Sequence, residues 1–188
     1  MATTKSKFLT ETYGGYYHRD VPSEDEELTL VGPGTPCGEY LRRFWHPVAI
    51  SEELKDLPHA IKIMGEELVV FRDKRGQVGL LELHCSHRGT SLEFGLIEEK
   101  GIRCCYHGWQ FDVDGRILDT PGEPSDSTYK ERLCHGAYPV HEYHGLVFAY
   151  MGPPDKIPPF PIYDIFEAPG SDLIAVLGQK NIKPCNWL

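Results

Sequence analysis

The chain lacks any apolar run long enough to cross a bilayer, and its start, Met1-Ala2-Thr3-Thr4-Lys5, lacks the apolar core of a secretory leader. No membrane is expected as a partner, and a cytoplasmic location is the default. Positive charge is also scarce. Lys plus Arg total 19 against 28 Asp plus Glu, a net charge of −9, so neither nucleic acid nor an anionic lipid surface is an expected partner. There is no internal repeat and no disulfide framework. Cys37, Cys105, Cys134 and Cys185 are scattered without framework spacing, as idle thiols in a reducing compartment are. Long helical periods are missing too. A length of 188 residues suits one compact domain with some extra.

What is present is concentrated between Cys85 and His107. Cys85-Ser86-His87 is a C-x-H box, and Cys104-Cys105-Tyr106-His107 is a C-x-x-H box sixteen residues further on. Thiolates suit iron–sulfur chemistry, and imidazole suits zinc, iron or copper. Two Cys and two His are the ligand set of a Rieske centre, in which one iron of a [2Fe–2S] pair carries both imidazoles. The alternation lets each box give its Cys to one iron and its His to the other. A mononuclear zinc finger more often keeps two Cys in one box and two His in the other. Gly89 and Gly108 follow the boxes. Glycine permits the positive φ and close backbone approach of a tight ligand loop, whose amides can then hydrogen-bond to sulfur.

Around the boxes the chain reads as short strands. Residues 1–27 form a polar arm, and 38–44 a helical turn started by Thr35 or Pro36. Residues 60–64 and 67–71 are two strands with a turn at Gly65-Glu66, and 77–83 is a third, leading into Cys85. Short strands at 92–97 and 102–103 flank the 98–101 turn. Asp114-Gly115 is a hairpin signal, and 138–150 holds one or two strands. The expected fold is all-β: a small antiparallel domain over 28–152 with a cluster-binding subdomain and few helical turns. A proline-rich connector follows at 153–161, and a strand at 173–177 has no partner in its own tail.

The two boxes with their flanks, Cys85-Ser86-His87-Arg88-Gly89 and Cys104 through Asp112, resemble the Rieske domain of Rieske non-haem iron oxygenases. Gly34-Thr35-Pro36, the 42–47 stretch and the 121–124 loop resemble its phthalate dioxygenase and aryl-ether O-demethylase branch. The likeness covers most of residues 28–160. It implies that Cys85 and Cys104 bind one iron of the [2Fe–2S] cluster and His87 and His107 the other, with the proline loop covering a third side. Cys105 departs from the proline usual there. The respiratory Rieske proteins differ: an extra Cys in each box forms a disulfide, whereas Thr90 and Tyr106 stand at those positions here. A serine that supports their cluster is replaced by Trp109. Fewer hydrogen bonds to sulfur imply a potential near about −150 mV.

By the same resemblance, the mononuclear iron on two His and one carboxylate belongs to a catalytic domain of which 162–188 is only the start. The piece is then expected to be inactive alone. It would relay single electrons from a reductase or ferredoxin to a neighbouring subunit's iron in a homotrimer. A free-standing Rieske-type ferredoxin and a structural zinc-binding interaction module are the alternatives. Trp109 is placed beneath the cluster, Arg88 at its rim or in solvent, and Tyr106 against a ligand thiolate or in the core. His18, His59, His84, His135, His141 and His144 read as structural or surface residues.

Overall fold

The computed structural model describes residues 24–167 and 169. The strands are β1 (Trp45–Ile50), β2 (His59–Ile63), β3 (Glu66–Arg72), β4 (Val78–Glu82), β5 (Leu96–Ile97), β6 (Ile102–Arg103), β7 (Gln110–Phe111), β8 (Ile117–Asp119), β9 (Ala137–Tyr138), β10 (Val140–Tyr143) and β11 (Leu146–Tyr150). The helices α1 (Glu26–Thr29), α2 (Pro36–Leu41) and α3 (Tyr129–Arg132) are one or two turns each. All strand pairings are antiparallel, in three sheets ordered β1-β11-β10, β2-β3-β4-β9 and β5-β6-β7-β8. The all-β expectation holds.

β3 shows why the central strands read as apolar runs rather than alternations. Leu68, Val69, Val70 and Phe71 are all buried. Side chains on a strand alternate faces. Val69 and Phe71 join Leu81, Leu83, Leu92, Trp109 and Phe111 in one core, beneath Cys85 and Cys104. Leu68 and Val70 join Leu80, Val147 and Ala149 in a second. The β3–β4 hairpin is thus a wall between two cores, and both of its faces are dry. Burying each such side chain is worth roughly 1.5–3 kcal/mol.

Polar groups lock the layers together. The β2–β3 register pairs Ile63 with Glu66, so the two-residue turn is Met64-Gly65, with φ of 46° and 79°. That is one residue earlier than the sequence suggests, because positive φ at both positions suits the right-handed twist of the flanking strands. The buried Arg42 guanidinium pairs with Glu66 and donates to the Met64 carbonyl at 2.9 Å. Thr35 caps α2 by accepting from Gly38 N–H. At the other end of β3, the buried Asp73 carboxylate accepts from the N–H groups of Arg75, Gln77 and Gly101. Arg75 in turn donates to Asp112 at 2.5 Å. Burial alone would raise the Asp112 pKa, but the Val113 N–H and the cations Arg75 and Arg116 bring it below the usual carboxylate value. This clamp joins the β3–β4 turn to the sheet that carries the second box.

Several expectations shift. Residues 92–94 form a 3-10 turn before β5, and the 138–150 stretch divides into β9, β10 and β11. The proline stretch packs back on the sheet. Trp45 donates to the Pro158 carbonyl at 3.2 Å, and Phe160 lies against Phe148 and His141. The 173–177 strand, Cys185 and most of the arm lie outside the described residues. No helix among the described residues is long and apolar enough to cross a membrane.

Candidate metal centre

The two boxes fold into loops of the same design. In the first, Cys85 N–H donates to the Thr90 carbonyl at 2.9 Å, and Gly89 N–H to the Cys85 carbonyl at 2.8 Å. In the second, Cys104 N–H donates to the Trp109 carbonyl at 2.8 Å, and Gly108 N–H to the Cys104 carbonyl at 3.1 Å. Gly89 and Gly108 have φ of 72° and 75°, a region L side chains seldom enter. Each loop therefore closes between residue i and residues i+4 and i+5. Only the histidine differs, at i+2 in one and i+3 in the other.

These loops bring the four expected donors together as two pairs, thiol with thiol and ring with ring. Cys85 and Cys104 are each 4% exposed and share one core. Burial, together with the charge and thiol of Cys104, pushes the Cys85 pKa up to about 11, against the backbone amides of His87 and Arg88, which favour the thiolate. A metal must therefore displace a proton from this thiol. The His87 and His107 rings lie edge to face at 4.7 Å, near the surface. Burial, then the charges of His107 and Arg88, lowers the His87 pKa, which favours the neutral imidazole that ligates metal. A cleft of about 500 Å³ opens over them, lined by His87, Arg88, Tyr106, His107 and the 121–123 loop.

The Rieske [2Fe-2S] domain family matches residues 44–162. This chain belongs to that family. Its Rieske domain is similar to the tert-butanol monooxygenase / tert-amyl alcohol desaturase oxygenase subunit of Aquincola tertiaricarbonis, at 55% identity over 94% of this chain and 38% of the relative. It is also similar to the phenoxybenzoate dioxygenase alpha subunit of Ectopseudomonas oleovorans, at 54% identity over 82% of this chain and 38% of the relative. Among solved structures, dicamba monooxygenase superposes with a TM-score of 0.62 at 27% identity, over 70% of this chain and 42% of the other. The chain spans about two-fifths of the length of the curated relatives it matches.

The donor set fits the family's cluster. His87 Nδ1 is buried without a hydrogen-bond partner, beside a buried pair of thiols. Among the described residues, no three His, Cys, Asp or Glu side chains gather as the shell of a single ion. A sulfur pair and an imidazole pair instead suit two irons, each taking one pair.

The Rieske loops rest on residues the sequence leaves obscure. His135, 3% exposed, is the main one. Its Nε2 lies 2.8 Å from the Glu82 carbonyl, which only accepts, so that nitrogen carries the proton. Burial, against the Glu82 carbonyl and charge, keeps its pKa below the usual imidazole value. Its Nδ1 then accepts from the Ser86 hydroxyl at 2.5 Å. The bond spans 49 residues and braces the C-x-H loop from behind; no local pattern signals it. Trp109 is 3% exposed and stacks on the His87 ring at 4.8 Å, almost parallel. Arg103 donates to the Gly108 carbonyl at 2.7 Å and to Asp119 at 2.9 Å, bracing the second loop. Tyr106 neither fills the core nor is enclosed beside a thiolate, being 65% exposed. Its place at the tip of the loop lifts it off the core. Cys105 is exposed, while Cys104 faces inward. His84 stays outside the donor set, exposed and paired with Glu82.

Proposed function

We propose that this chain is the electron-transfer part of a Rieske oxygenase, with Cys85 and Cys104 holding one iron of the cluster and His87 and His107 the other. One observation carries the reading. Twin loops place two buried sulfurs below two imidazoles nearer the surface. The bound cluster supplies one-electron transfer and no bond chemistry of its own. The chain's residues do the rest. The buried thiols give up their protons on ligation, and the backbone amides of His87 and Arg88 favour the Cys85 thiolate. Trp109 holds the His87 ring in plane. His107 is exposed, with Tyr106 and Arg88 around it, and offers its ring to a partner.

A one-electron carrier needs a donor and an acceptor. The donor we infer is a reductase or ferredoxin. The acceptor we infer is a mononuclear iron in the catalytic domain of a neighbouring subunit, in a homotrimer. The redox unit runs over 28–152, with 153–161 as connector and 162–188 opening the catalytic domain. The substrate class proposed from the resemblance is an aromatic acid or aryl ether. The relative named for tert-butanol widens it to a compact alcohol.

Aerobically purified protein tests this directly. Visible absorbance, two irons and two acid-labile sulfides per chain, and a low-g EPR signal on reduction are expected. Colourless protein with one zinc and no sulfide would overturn it.

A further inference from the structure

We infer that Glu123 is a positioning residue for His87, setting the reduction potential through the outer nitrogen of that ring. The inference rests on the assignment of His87 as an iron ligand. The two nitrogens of the ring have different surroundings. Nδ1 is buried and unpartnered. Nε2 lies 3.7 Å from Glu123 Oε1, and the two side chains are about equally enclosed, at 20% and 19% exposure. The gap exceeds a direct hydrogen bond by a few tenths of an ångström, within reach of a small rotamer change or one bridging water.

Both partners are held in place. Trp109 stacks on His87 within 1° of parallel, so the ring cannot swing away without losing that contact. Glu123 stands between Pro121-Gly122 and Pro124, and its N–H donates to the Thr120 carbonyl at 3.2 Å. The proline loop therefore does more than cover the site. It brings a carboxylate, from within the same chain, to the outer edge of one imidazole. His87 also faces Arg88, whose cation opposes Glu123, as well as His107.

A carboxylate at the outer nitrogen makes the imidazole a stronger electron donor and adds negative charge near the irons. Both effects resist an added electron, because the reduced cluster is the more negative state. Glu123 thus holds the potential down.

The test is a redox titration of cluster-loaded protein, followed by visible absorbance and EPR. Glu123→Gln keeps the shape and removes the charge. It should favour the reduced state about tenfold, an upward shift of about 59 mV for one electron. Glu123→Asp, one methylene shorter, should shift it less in the same direction. Glu99→Gln, which removes an exposed charge from the 98–101 turn, should leave the midpoint in place. A Glu123→Gln midpoint equal to wild type, with a normal low-g signal, overturns the inference. Equal shifts for Glu123→Gln and Glu99→Gln overturn it too, since net charge alone would then explain them. Wild-type protein without the low-g signal instead overturns the ligand assignment beneath it. Should Glu123→Gln load no cluster, Glu123→Asp decides: no shift there overturns the inference.

Discussion

The Cys85–Thr90 loop and the Cys104–Trp109 loop share one backbone frame and differ in almost everything around it. In the first, the histidine ring is hemmed in and half-buried. His135 holds Ser86 from behind, Trp109 covers the face of His87, and Glu123 stands at its edge. The second is braced at its base by Arg103 and exposes Cys105, Tyr106 and His107 at its tip. The common frame answers a common demand, which is to bend tightly enough to aim a sulfur inward. The surroundings differ: the His87 ring is half-buried among residues of its own chain, and His107 is exposed.

Substitutions in matched pairs can break or sharpen this division. The largest contrast sits within the second loop. Cys104→Ser should abolish visible absorbance and sulfide content, whereas Cys105→Ser should leave both intact, because only Cys104 faces the core. Loss of colour in both would mean that the thiols exchange roles. Next are the two aromatic residues of that loop. Trp109→Ala removes a buried ring and should cost about 3–5 kcal/mol in denaturant unfolding. Tyr106→Ala, at the exposed tip, should stay within about 0.5 kcal/mol.

The glycines compare the loops position for position. Either Gly→Ala change forces an L residue into positive φ, at about 1–2 kcal/mol. A Cβ at Gly89 meets nothing within 4 Å, but one at Gly108 would sit 2.9 Å from Pro121 Cγ. Gly108→Ala should therefore lower the melting temperature more than Gly89→Ala. Equal losses would show that the proline loop yields freely.

The last pair concerns the brace behind the first loop. Ser86→Ala and His135→Phe should each cost about 1–3 kcal/mol by breaking a partly buried hydrogen bond. The double variant should lose less than their sum. Burial keeps the His135 pKa below its usual 6.5, against the Glu82 carbonyl and charge. The unfolded chain therefore takes up the proton first, and the stability His135 contributes is present above that value. It is lost as pH falls through the lower folded pKa. Glu82, Ser86 and Phe111 are the groups facing this ring. Unfolding of cluster-loaded protein between neutral and mildly acidic pH should show a shallower loss in His135→Phe than in wild type. An unchanged slope would assign the acid sensitivity elsewhere.

Legibility followed the range of the interaction. The two Cys–His loops could be read because residue types and short spacings are local, and so could the Asp114-Gly115 turn. The β2–β3 turn was displaced by one residue because register belongs to the pairing of two strands, not to the turn residues alone. His135 looked idle because its partner lies 49 residues away. Tyr106 looked like a core or ligand-side residue because a loop tip reverses the side-chain direction that extended chain would suggest.

By itself, then, the sequence determined the two Cys–His boxes, the tight glycine bends and the antiparallel β class, all of which follow from residue type and near-neighbour spacing. Only the tertiary structure decided that β3 divides two cores, that the two loops are twins with unlike surroundings, and that Ser86 meets His135 and His87 meets Glu123. Those pairings depend on how sheets and turns pack across long separations, where no short pattern in the chain carries the information.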